Sequence, residues 1–206
     1  MKKKVALITS TLFAVSMSAT VNAATLTGTL EFTKKPAFTG LLYAKGGSGP
    51  KSDVMDQSNK VFDKKMLVVG PNGKINFKNS DTFQHNIFAN DPKNNVKFDI
   101  GLMEPGQANI VKVDWQENTV TRIGCKIHPK MRSYIANVNA EHYLILPLEK
   151  GKKSYDINLD VGGSTTFVLS LPKYDPLEVT LAAGESKTVD VTKKGKKRAS
   201  LTLALK

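Results

Sequence analysis

Along most of the chain, apolar and polar residues alternate in short runs, not with the spacing of a helix face. The segments TLTGTLEF (25–32), TGLLYA (39–44), MLVV (66–69), KINFK (74–78), ANIVKVDW (108–115), TVTRI (119–123) and SYIANV (133–138) are rich in Val, Ile, Leu, Thr, Phe and Tyr. So are YLILPL (143–148), YDINLD (155–160), TTFVLS (165–170), LEVTL (177–181), KTVDV (187–191) and SLTLAL (200–205). Turn-forming residues separate them, among them Lys45-Gly46-Gly47-Ser48-Gly49-Pro50, Gly70-Pro71-Asn72-Gly73, Glu104-Pro105-Gly106-Gln107, Lys150-Gly151 and Gly162-Gly163. No window carries a convincing helical period. Many short strands at regular spacing predict an all-β sandwich or barrel. A soft boundary falls near Ala140: unusual chemistry lies before it, and a plain β-rich region follows, read as a small C-terminal β-domain over 140–206.

The beginning of the chain reads differently. MKKKVALITSTLFAVSMSATVNA joins three lysines, a short apolar run and a small-residue cleavage box ending at Ala23. This is the pattern of a bacterial secretory signal peptide over 1–23. The apolar run is too short for a finished membrane-spanning helix, and nothing after it is longer. The expected location is therefore a periplasm, an oxidising compartment. The formal charge is +12 for the whole chain, or about +9 without the three leader lysines. That excess favours acidic partners. The run Lys193-Lys194-Gly195-Lys196-Lys197-Arg198 reads as a solvated hairpin turn and not as a nucleic-acid patch, because no aromatic residues interleave it.

Cysteine usage narrows the chemistry. Cys125 is the only cysteine, so it has no partner within the chain. That leaves an intermolecular disulfide, a free reactive thiol, an inert buried thiol or a metal ligand. Its neighbours favour the last. The stretch GCKIHPKM places His128 three residues after Cys125 and Met131 three further on. On a straight strand these side chains would spread over about 20 Å, but a tight loop containing Pro129 brings them together. Thiolate and thioether are soft donors, and a thioether disfavours structural zinc. A second imidazole is needed, and His85, after the strand KINFK, is well placed for it. Two imidazoles, a thiolate and a weak axial thioether form a blue-copper donor set. His142 lies outside this motif and reads as a surface or packing residue. Met55, Met66 and Met103 read as packing residues.

The stretches FKNSDTFQHNIF, KFDIGLMEPGQ and CKIHPKMRSYIANV resemble the cupredoxins, the type 1 copper proteins. The Cys-x2-His-x2-Met spacing is similar to the short ligand loop of amicyanins. The resemblance covers roughly residues 24–139, and it implies a Greek-key cupredoxin β-sandwich followed by the additional small C-terminal β-domain. It implies one type 1 copper ion held by His85, Cys125, His128 and Met131, with Asn86 bracing the two ligand loops. It further implies a non-enzymatic carrier of single electrons between periplasmic redox partners, with an acidic partner docking near His128, which Lys126, Lys130 and Arg132 flank. The alternative is a copper-binding or trafficking module without an electron-carrier role. Three histidines are too few for a multicopper oxidase or a nitrite reductase. No nucleophile–base pair, paired carboxylates or phosphate loop points to a hydrolase or transferase.

Overall fold

The computed structural model describes residues 24–206, so the leader read at 1–23 lies outside the described residues. The described chain is all β apart from one 3-10 turn, Pro92–Asn94. No helix in it is long and apolar enough to cross a membrane.

The strands form four sheets. The first has the order β13 (Ser154–Gly162), β1 (Ala24–Phe32), β17 (Lys196–Leu205), β16 (Ser186–Lys193). The second is β12 (Tyr143–Leu146), β2 (Gly40–Ala44), β14 (Thr166–Ser170), β15 (Leu177–Thr180). The third is β5 (Leu67–Val69), β11 (Arg132–Asn137), β10 (Thr119–Gly124), β7 (His85–Asp91), β8 (Val96–Met103). The fourth is β4 (Val61–Phe62), β3 (Ser52–Ser58), β6 (Lys74–Asn79), β9 (Ala108–Lys112). Most neighbours are antiparallel, but β11 pairs with β5, and β3 with β6, in parallel.

Successive side chains on a strand point to opposite faces, and that alternation shows how the sheets stack. In β2 all five residues are buried. Leu42 and Ala44 enter a core with Leu30, Phe167 and Leu203, whereas Leu41 and Tyr43 enter another with Val68, Tyr134 and Ala136. A strand buried on both faces reads as a continuous apolar run, as GLLYA does. The same division separates Val68 from Leu67 and Val69 in β5, and Tyr134 and Ala136 from Ile135 in β11. Leu67, Val69 and Ile135 pack with Met55, Ile75 and Phe77 of the fourth sheet. The sheets thus lie in layers, first to fourth, with three apolar cores between them. Met55, Met66 and Met103 are buried in these cores.

The sheets do not follow the division at Ala140 expected from the sequence. β1 sits between β13 and β17, and β2 between β12 and β14. Residues 24–44 therefore supply an interior strand to each sheet of the C-terminal sandwich. Strand character is a local property, but the choice of partner is not, and here the partner lies more than a hundred residues away. A fragment spanning 140–206 should accordingly fail to fold, because both of its sheets lose a central strand. Co-expression with a 24–44 segment should restore amide-exchange protection in β14 and β17. A fragment protected without that segment would contradict the assignment.

Candidate metal centre

The β10–β11 hairpin creates the site. Its ladder closes with Gly124 opposite Arg132, so residues 125–131 form the connecting loop. The Met131 N–H donates to the His128 carbonyl at 2.9 Å, a tight turn around Pro129. This curvature is what brings together donors that a strand would spread apart. Across the sheet, Gly124 pairs with Phe88 of β7, and His85 is the first residue of that strand. A Cβ on Gly124 would lie 3.3 Å from the Phe88 ring, so the two strands approach closely where the ligand loop begins.

Three donor atoms converge. His85 Nδ1 lies 3.9 Å from Cys125 Sγ and 3.1 Å from His128 Nδ1, and His128 Nδ1 lies 3.7 Å from Cys125 Sγ. Donors about 2.0–2.3 Å from one ion, at trigonal to tetrahedral angles, stand about 3.3–3.8 Å apart. The observed separations, 3.1, 3.7 and 3.9 Å, bracket that range, so the three donors surround one position within reach of a single ion. His85 is fully buried, Cys125 is buried, and His128 is half-buried. Met131 is buried in the same core cluster as Cys125. Cys125 as a whole is only 2 % exposed, which argues against an intermolecular disulfide. His142 lies outside the group and packs its ring beside Gly162.

Asn86 links the two ligand segments. Its backbone N–H donates to Cys125 Sγ at 3.4 Å, and its side-chain oxygen accepts from the Lys126 N–H at 3.4 Å. Its amide nitrogen donates to Asp99 Oδ1 and to the Gly101 carbonyl in β8. The N–H to sulfur contact thus ties the start of β7 to the loop that carries Cys125.

One participant was not expected from the sequence. Asp81 Oδ2 lies 3.0 Å from His85 Nε2 and accepts the Lys60 backbone N–H at 2.8 Å. Its other oxygen accepts the Thr82 N–H. With Nε2–H donated to the carboxylate, His85 keeps the Nδ1 lone pair facing the thiol. The Lys60 backbone bond, with support from His85 and Thr82, holds the Asp81 carboxyl down at about 2. The available signal was a carboxylate four residues before a ligand histidine, within DTFQH. Burial, followed by the positive potential of His85 and Lys60, pushes the His128 imidazole below its ordinary value. That favours the neutral ring, the form that ligates.

The cations expected around His128 are not equivalent. Lys126 forms an ion pair with Asp99, which holds the Asp99 carboxyl at about 2. The Arg132 guanidinium stacks 4.4 Å from the Phe38 ring centre.

No protein-family model matches the sequence, and no curated protein matches it. Among solved structures, a reduced tryptophan-to-tyrosine variant of amicyanin is similar, at 17 % identity over 48 % of this chain and 98 % of that one, with a TM-score of 0.38. A purple cupredoxin from Nitrosopumilus maritimus is similar at 15 % identity over 42 % of this chain and 98 % of its own, with a TM-score of 0.34. A copper-containing nitrite reductase from Thermus scotoductus SA-01 is similar at 19 % identity over 41 % of this chain, with a TM-score of 0.37. This chain spans only 21 % of the reductase's length.

Proposed function

We propose that the protein is an exported type 1 copper protein that carries single electrons between periplasmic redox partners and is not itself an enzyme. The supporting observation is the convergence of His85 Nδ1, Cys125 Sγ and His128 Nδ1 within 4.8 Å of one another in an interior site. A bound copper ion supplies a one-electron couple. The chain's own residues do the rest. Soft sulfur and borderline imidazole suit both oxidation states of copper. The β10–β11 ladder and the Asn86 and Asp81 hydrogen bonds hold the donors in place. Little then has to move when an electron arrives or leaves. Cys125 and His85 are shielded from water, so the half-buried edge of His128 is the exit toward a partner. Exposed Phe83 and Ile127 lie in the same two ligand-bearing segments and offer apolar contact there.

Met131, at the end of the same loop, would supply a weak thioether donor to the bound ion. Met131→Leu should keep its copper and raise the reduction potential. Each tenfold by which the oxidised form loses more affinity than the reduced form adds about 59 mV. Voltammetry on the loaded variant measures this, and loss of copper or a lowered potential would contradict the role.

Repeated oxidation and reduction with copper retention separates electron transfer from copper trafficking. An electron carrier cycles without loss. Ready release of Cu(I) to a metal-free acceptor would favour trafficking.

A further inference from the structure

Two of the cations that sequence places around His128, Lys130 and Arg132, belong to a larger basic concavity. A cavity of about 610 Å³ opens where the two sandwiches meet, and its wall carries Lys35, Lys65, Arg132, Lys150, Lys173 and Lys193 against a single carboxylate, Glu149. These cations come from separate parts of the chain. Lys35 precedes β2, Lys65 precedes β5, Arg132 opens β11, Lys150 precedes β13, Lys173 follows β14 and Lys193 closes β16. A second recess of about 270 Å³ shares Phe38, Lys65 and Arg132 with the first, and reaches Lys130 and Met131. The two form one basic groove that ends on the metal-binding loop.

None of the six wall cations is ion-paired among the described residues, whereas Lys45, Lys64, Lys126, Lys187 and Lys197 all have carboxylate partners. Several are also held at the wall. Lys65 Nζ donates to the Leu148 carbonyl at 2.7 Å, Arg132 stacks on Phe38, and Lys193 lies 5.5 Å from the Tyr174 ring centre. Uncompensated cations around a concavity focus positive potential into it.

We infer that this groove is the docking surface for an acidic, extended segment of a partner protein. The inference rests on the proposed electron-carrier role only for the reason a partner docks; binding itself needs no metal. A small anion such as pyrophosphate reaches only a few cations that rise from six separate segments. An extended chain repeats its side chains about every 3.3 Å, so successive carboxylates can engage the whole wall. The groove would then guide its occupant to the Met131 side of the site, and Lys126 would contribute little because Asp99 already neutralises it.

The test uses fluorescein-labelled hexaglutamate and the full chain, with and without copper, read by fluorescence anisotropy at about 20 mM ionic strength. The groove triple variant Lys35→Glu, Lys150→Glu, Lys173→Glu should weaken binding at least about tenfold. A control of equal charge change on the fourth sheet, Lys74→Glu, Lys78→Glu, Lys112→Glu, should weaken it less than about threefold. Circular dichroism verifies that both variants remain folded. The inference is overturned by absent binding, by equal losses in the two triple variants, or by pyrophosphate binding the groove more tightly than hexaglutamate. Groove binding that persists in a chain unable to hold copper would sustain the inference while the copper reading fails. A blue copper site without groove binding would do the reverse.

Discussion

Cys125→Ser is expected to abolish the intense visible absorption of the copper-loaded protein while leaving the fold intact. The band arises from charge transfer from a thiolate to Cu(II), and the chain holds no second cysteine to replace the donor. Serine is nearly isosteric, and the Asn86 N–H that donates to the sulfur can donate to a hydroxyl instead. Packing around residue 125 in the core between the third and fourth sheets should therefore survive. Far-UV circular dichroism checks the fold and absorption checks the site. A serine variant that keeps the band would remove Cys125 from the ligand set.

The second large effect is expected at Asp81. Asp81→Asn keeps the shape but leaves one acceptor oxygen where two separately took the Lys60 and Thr82 N–H groups, and it removes the negative charge behind His85. Hydrogen-bond partners of ligand histidines typically contribute about 10–100-fold in metal affinity, and copper affinity should fall within that range. The oxidised ion carries more charge and loses more, so the reduction potential should rise, by about 59 mV for each tenfold of differential loss. The pH dependence has a definite sign. The Asp81 carboxyl is held at about 2, below its ordinary value of 3.8. Its contribution is thus fully present above about pH 4 and is lost as pH falls through about 2. Wild type and Asp81→Asn should differ at neutral pH and converge in acid. Equal potentials at neutral pH would show that Asp81 does not influence the site.

Much of this architecture is legible in the sequence, for identifiable reasons. β1, β2, β6, β10, β11 and β17 have apolar faces long enough to show period two or a continuous apolar run. β3 and β7 do not. In SDVMDQS and HNIFAND, polar Gln57, His85 and Asn86 occupy buried positions because their side chains have hydrogen-bond partners there. Buried polar residues with partners thus break the pattern in the strand that carries His85. β8 alternates across VKFDIGLM, but its outer residues are only partly covered. The grouping of Cys125 with His128 was readable because both fall within one short segment. Asp81 was not, since a carboxylate beside a histidine in sequence has no fixed direction until the loop closes. The grouping of residues 24–44 with the C-terminal sandwich was hidden for a related reason. Leu41 and Leu42 announce a buried strand but do not say which strands bury it. The basic groove likewise combines lysines from six segments that only the assembled layers bring together.

His85, Cys125 and His128 are proposed to hold one copper ion in a thiolate-containing site. Titration of the metal-free protein with Cu(II), followed by visible absorption, tests this assignment most directly. An intense visible band should grow linearly and saturate at one equivalent per chain. Binding without such a band, or no binding at one equivalent, would contradict it.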